Sequence, residues 1–197
     1  PEVVREIGRR GHEIGFHGYF HEEFTTTTYE EEKATMERCE ALIRELTGQQ
    51  MVSHRAPGGV IHDYSLRLFA ERGYIASSNW RDSDGPFIHE LDGKKIPLVE
   101  LPKDSIFDDT AYDFYTDSAP ERYELKSPGE MLEIWKEEFD SLAAEGRMIN
   151  FVLHPQFIGR VSRVNMLKEL IGYMLSKGAW IATNREAAQW VLKESGM

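Results

Sequence analysis

Short apolar runs that alternate with well-capped helical segments restrict this chain more than any other feature of its sequence. Residues 13–16, 51–53, 74–76, 148–153 and 179–182 are each short, mostly apolar, and read as buried strands. Four helices declare themselves between and after these runs by their caps. Thr28 with Glu31 makes a capping box, followed by Met36, Cys39, Leu42, Ile43 and Leu46 on one face and Gly48 as a stop. Ser127 with Glu130 makes another, with Pro128 at the first helical position and Met131, Trp135 and Leu142 turned inward until Gly146. Leu167, Leu170, Ile171, Met174 and Leu175 mark a third helix that stops at Gly178. Thr183 with Glu186 opens a fourth, which buries Ala187, Trp190 and Val191. Strands alternating with helices predict an α/β fold, either a parallel sheet or a barrel, with chemistry gathered at the C-terminal ends of the strands. Reactive side chains stand at four of those ends: His17, His54 with Arg55, the stretch 79–84, and His154. Residues 82–126 read as an excursion that walls a pocket, with a short strand at 97–101.

The 197 residues suffice for a single domain over 1–197 with a sizeable core. No apolar run approaches the roughly 18 residues of a membrane span, and the charged N-terminus lacks the apolar centre of a signal peptide. A net charge of -11 argues against a nucleic-acid partner. Cys39 is the only cysteine, so no internal disulfide forms, and a reducing, cytoplasmic setting is the natural expectation. Glu30, Glu31 and Glu32 read as the solvated first turn of a helix, where the dipole favours anions.

HEIGFHGYFHEE, residues 12–23, crowds histidines and glutamates between glycines. His17 and His21, four apart, would share one metal ion if the segment is helical. The same pair could instead serve as loop histidines capping nearby backbone. A catalytic zinc takes three protein ligands and leaves a position for water, so two histidines are one ligand short. Such a metal acidifies its water and polarises a carbonyl, and an acid must then protonate the departing nitrogen. His154 in FVLHPQ is placed for that role, and Arg55 in HRAPGG could tether a carboxylate or hold an anionic part of a substrate. His12, His54, His62 and His89 read as local hydrogen-bonding or solvent-facing groups.

HGYFHE, HRAPGG and LHPQFIGR, in that order along the chain, resemble the polysaccharide deacetylases of carbohydrate esterase family 4, the NodB-homology fold. SSNWRDSDGPF at 77–87, VELPKDSIFDDTAYDFY at 99–115 and HPQFIGRVSR at 154–163 are similar to the branch that holds allantoinase-like enzymes, cyclic imide hydrolases and peptidoglycan deacetylase-like proteins. The resemblance implies a distorted (β/α) barrel with fewer strands than the standard eight, and hydrolysis of a non-peptide C–N bond. The substrate is then a small cyclic amide or imide, or an N-acetylated saccharide. His17 and His21 match the metal histidines, with Zn2+ or another divalent ion implied. Arg55 matches the arginine that orients a catalytic aspartate, and His154 the general acid. Trp80, Asp82, Asp84 and Pro57 fall in motifs of the substrate pocket. Asp108 and Asp109 fall in the branch's paired-aspartate motif, where they shape either pocket or fold.

One departure stands out. The family's first strand ends in an Asp-rich motif that supplies the base and a third ligand, and no aspartate precedes Ile14 here. The chain is therefore expected to lack an N-terminal segment of the same protein, with its strand or strands. A homo-oligomer that covers exposed loops is also expected. The reading from another class is a non-catalytic domain that binds a carbohydrate or metabolite.

Overall fold

The computed structural model describes residues 1–113 and 125–197; Phe114 and Tyr115, at the end of the 99–115 motif, lie outside the described residues. A sheet with a parallel centre, flanked by helices, gives the α/β arrangement expected. The single stretch 1–197 divides into two compact units, Pro1–Pro102 with Ala182–Met197, and Lys103–Ile181.

The first unit is built on a four-stranded sheet. Strands β1 (Ser53–His54) and β2 (Ala76–Ser77) are short and fully buried. Strands β3 (Phe87–Leu91) and β4 (Lys94–Glu100) form a hairpin. The spatial order is β1-β2-β4-β3, with β1-β2 and β2-β4 parallel and β3 antiparallel at the edge. Phe16 adds to the other side through a parallel bridge to His54. Around the sheet stand α1 (Glu2–Arg9), α2 (Tyr29–Thr47), α3 (Ser65–Glu71) and a C-terminal helix, Asn184–Glu194. The capping boxes expected at Thr28 and Thr183 are both present. Phe16, Phe24, Met36, Phe69 and Leu98 are buried in one apolar cluster. Arg185 ties the C-terminal helix to the segments that lead into the sheet. Its backbone N–H donates to Glu13 at 2.9 Å, and its guanidinium to the carbonyl of Gln50 at 2.7 Å.

The second unit contains the one-turn helix α4 (Thr110–Asp113), then α5 (Pro128–Ala144), α6 (Pro155–Ile158) and α7 (Val161–Ser176). The box at Ser127 starts α5 as expected. Helices α5 and α7 pack through Met131, Trp135, Leu170 and Met174. The Trp135 indole N–H donates to the carbonyl of Ile106 at 2.7 Å, which satisfies the one polar atom of a fully buried side chain.

Several expectations change. The hairpin replaces the single strand expected at 97–101. Its turn is Asp92-Gly93, both at positive φ (51 and 73°), as a two-residue type I′ connection requires. Residues 13–16 contribute only the Phe16 bridge. The strands expected at 148–153 and 179–182 are not formed: among the described residues only Val152 bridges, to Asp108, and Trp180 and Ile181 are exposed. An apolar run makes a strand only where a neighbouring edge takes up its backbone groups. Helix faces are narrower than the patterns imply, since Leu42, Ile171, Leu175 and Trp190 are exposed. Glu32 is not solvated but fully buried, because the start of α3 covers it and Ser65 Oγ donates to its Oε2 at 3.0 Å.

Candidate functional site

The chain around His17 leaves the sheet immediately after the Phe16 bridge. No helix follows. Gly18 at φ 77° and His21 at φ 63° curl the backbone into a tight loop instead. The Glu22 carboxylate closes it by accepting the Tyr19 N–H at 2.8 Å, and a Cβ at Gly18 would lie only 2.5 Å from that carboxylate. The loop, not helical spacing, brings the rings together: the His17 and His21 centroids lie 5.0 Å apart, edge to face. A left-handed non-glycine residue is strained, and such strain persists only where the surroundings over-determine it.

His17 Nδ1 lies 2.6 Å from the carbonyl oxygen of Arg55. A carbonyl can only accept, so Nδ1 carries the proton and Nε2 keeps its lone pair. In that tautomer Nε2 is the atom a metal would take, and a backbone carbonyl behind a ligating imidazole is a usual means of fixing it. The donor set therefore fits a divalent transition metal at His17 and His21, as far as two ligands go. Among the described residues, no third His, Cys, Asp or Glu groups with the pair closely enough to complete it.

Arg55 links three strand ends. Its N–H donates to the carbonyl of Phe16 at 3.0 Å, its carbonyl holds His17, and its guanidinium reaches the third strand end. There Nε donates to the carbonyl of Ser78 at 3.1 Å and Nη2 to Ser78 Oγ at 2.6 Å. Pro57 is buried in the turn that follows. Asn79 extends the same tie, its Oδ1 accepting the N–H of Ala56 at 2.7 Å. Trp80 is 38% exposed, and Asp82 and Asp84 lie exposed on the loop beyond it. His54, at the end of β1, is buried against Phe69 with ring centroids 4.0 Å apart. Burial pushes its pKa well below the ordinary histidine value, so it is a neutral core residue.

In the second unit, Asp108 bridges to Val152 and carries Asp109 beside the residue that follows the run 148–153. The backbone N–H of His154 donates to Asp109 Oδ2 at 2.8 Å, and its Nδ1 lies 2.7 Å from Oδ1. Both oxygens of a fully buried carboxylate are thus taken by one residue, and the imidazole, one third exposed, keeps Nε2 for other work. Burial is the main influence on Asp109 and raises its carboxyl. The two His154 donors oppose that rise, and neighbouring Asp108 adds to it. Asp108, Asp109 and His154 together offer ligand atoms within 4.8 Å of one another, a group that could hold a metal ion. His154 Nδ1 already points at Asp109, so the pair also makes a hydrogen-bonded dyad, and an ion there would bind at His154 Nε2 or displace the Nδ1 contact.

No local pattern singles out Glu100 or Ser78, and His89 reads from sequence as a local or solvent-facing group. In the structure His89 and Glu100 are both buried and bonded to each other at 2.8 Å. A glutamate closing the apolar run LVE is the one available signal, since a charge at the end of a buried strand needs a partner.

The polysaccharide deacetylase family matches residues 1–76. The peptidoglycan deacetylase of Helicobacter pylori is 22% identical over 96% of this chain and 70% of its own length. A crystal structure described as that of a polysaccharide deacetylase from Mycobacterium smegmatis superimposes with a TM-score of 0.91 and 28% identity, over 99% of this chain and 68% of that one. The PuuE allantoinase structure gives 0.77 and 25%, over 96% and 62%. The chain thus spans about two thirds of the length of these relatives.

Proposed function

On the premise that this chain is of the polysaccharide deacetylase type in fold and sequence, we infer that it hydrolyses a non-peptide C–N bond, with His154 as the proton donor. The observation that carries this reading is the Asp109–His154 dyad. A carboxylate on Nδ1 fixes the ring in place and turns Nε2 away from it, as the atom that would deliver a proton. As the C–N bond breaks, the electron pair goes to nitrogen, and the proton from His154 Nε2 makes it a neutral leaving amine. His17 and His21 would hold a divalent ion, zinc or another, through Nε2. Such an ion acidifies a water and polarises the carbonyl. A third ligand, a carboxylate, would complete the set and take the water's proton. Arg55 would fix the orientation of that carboxylate, and Pro57, Trp80, Asp82 and Asp84 would contact the substrate.

An N-acetylated saccharide is the substrate class supported by the likeness to a peptidoglycan deacetylase. The likeness to an allantoinase supports a small cyclic amide instead, for which a cytoplasmic location is part of the proposal. Assays of the whole protein on N-acetylated chito-oligosaccharides, peptidoglycan fragments and allantoin separate the two. His154→Ala should lower kcat about 10²- to 10⁴-fold, the usual contribution of a positioned acid, and Asp109→Asn should lower it by less. Unchanged turnover in His154→Ala would overturn the assignment. Binding of these compounds with no turnover would favour the non-catalytic domain.

A further inference from the structure

The first unit holds a second carboxylate–imidazole contact that the proposed chemistry does not use. Glu100 Oε2 lies 2.8 Å from His89 Nε2, with the side chains 0% and 2% exposed. A pair so deeply buried costs desolvation unless its remaining hydrogen bonds are made. Here they are. Glu100 Oε1 accepts the backbone N–H of Asn79 at 2.5 Å and of Trp80 at 2.9 Å. Burial by itself would raise the Glu100 carboxyl, but His89, Ser77 and the two backbone donors more than offset it, and its pKa is lowered.

Trp80 depends on this pair at both ends. Its main chain hangs on Glu100, and its indole stands edge to face on the His89 ring, at 5.1 Å and 89°. Phe87 supports it from the edge strand, with centroids 5.8 Å apart. A partly exposed aromatic on a loop would otherwise sample several rotamers at an entropic cost to any ligand. We propose that His89 and Glu100 are positioning residues that fix Trp80 as a preformed platform for the ring of the substrate. The inference rests on the hydrolase reading and adds to it the means by which a ring is received. A locked indole offers a broad apolar face that suits the face of a pyranose or a planar cyclic amide.

The four tryptophans give four indole N–H resonances in a 1H–15N spectrum of the protein, and the one lost in Trp80→Phe identifies Trp80. His89→Ala should shift or broaden that resonance while the other three stay in place. In the whole protein it should raise KM about fivefold or more with kcat within about twofold, the signature of lost binding common to ground and transition states. Glu100→Gln keeps an acceptor for the two backbone donors and should do the same to a smaller degree. A Trp80 resonance that does not move, or a KM that does not rise, overturns the inference. Should His89→Ala fail to fold, Glu100→Gln decides on the same terms. If the whole protein hydrolyses none of the amides, the proposed function falls, and titration with N,N′-diacetylchitobiose still tests the platform. A Trp80 shift in the native protein that weakens in the variant supports it, and equal shifts in both overturn it.

Discussion

Glu32 shows how much a single residue can depart from its local context. Its neighbours Glu30 and Glu31 suit an exposed first turn of α2, yet Glu32 is wholly buried. Ser65 sits on Oε2, and Oε1 has no hydrogen-bond partner among the described residues. Burial raises its carboxyl above the ordinary value of 4.5; the Ser65 hydroxyl and His62 work against the rise. A carboxyl raised in the folded state stabilises below its unfolded pKa, and that stabilisation is lost as pH climbs through the folded value. Glu32→Gln should therefore be more stable than the parent at pH 7, with Tm higher by about 2–4 °C if roughly 1 kcal/mol is recovered. Melting curves should converge as pH falls below 4.5, and a gap that widens in acid would contradict this account.

At the scale of elements, glycines divide by the backbone they serve. Gly93 occupies the second position of the hairpin turn at φ 73°, where a Cβ is strained, so Gly93→Ala should cost about 1–2 kcal/mol. Gly172 lies inside α7 with open space where a Cβ would be, so Gly172→Ala should gain about 0.5–1 kcal/mol. Denaturant melts of the two variants, moving in opposite directions, check both. The same contrast explains what is legible in the sequence. Capping boxes at Thr28, Ser127 and Thr183 are local hydrogen-bond chemistry, and all three helices begin there. Asp92-Gly93 is an equally local signal, and it specifies a hairpin that the apolar pattern at 97–101 does not reveal. Strands are different, because residues 148–153 and 179–182 have strand-like composition and the pairing that decides the matter lies elsewhere in the chain. The His17–His21 pairing falls between these cases. Its residues are legible, but the fold of their loop is not, since positive φ at His21 follows from Glu22 and Gly18 rather than from spacing.

For the molecule as a whole, the metal is the main dependence to be tested. Elemental analysis of the whole protein should find about one divalent ion per chain, and His17→Ala or His21→Ala should remove it. Chelation should abolish turnover and added zinc or cobalt restore it; full activity in the metal-stripped protein would remove the metal from the proposal. Loss of the Arg55 side chain should act differently. Two of its ties are made by main-chain atoms, the N–H to Phe16 and the carbonyl to His17, so they outlast any change of side chain. Arg55→Met should leave metal content intact while it disturbs the Ser78 end. The loop that carries the histidines should therefore tolerate replacement at position 55, because what anchors it there is main chain that every residue except proline supplies.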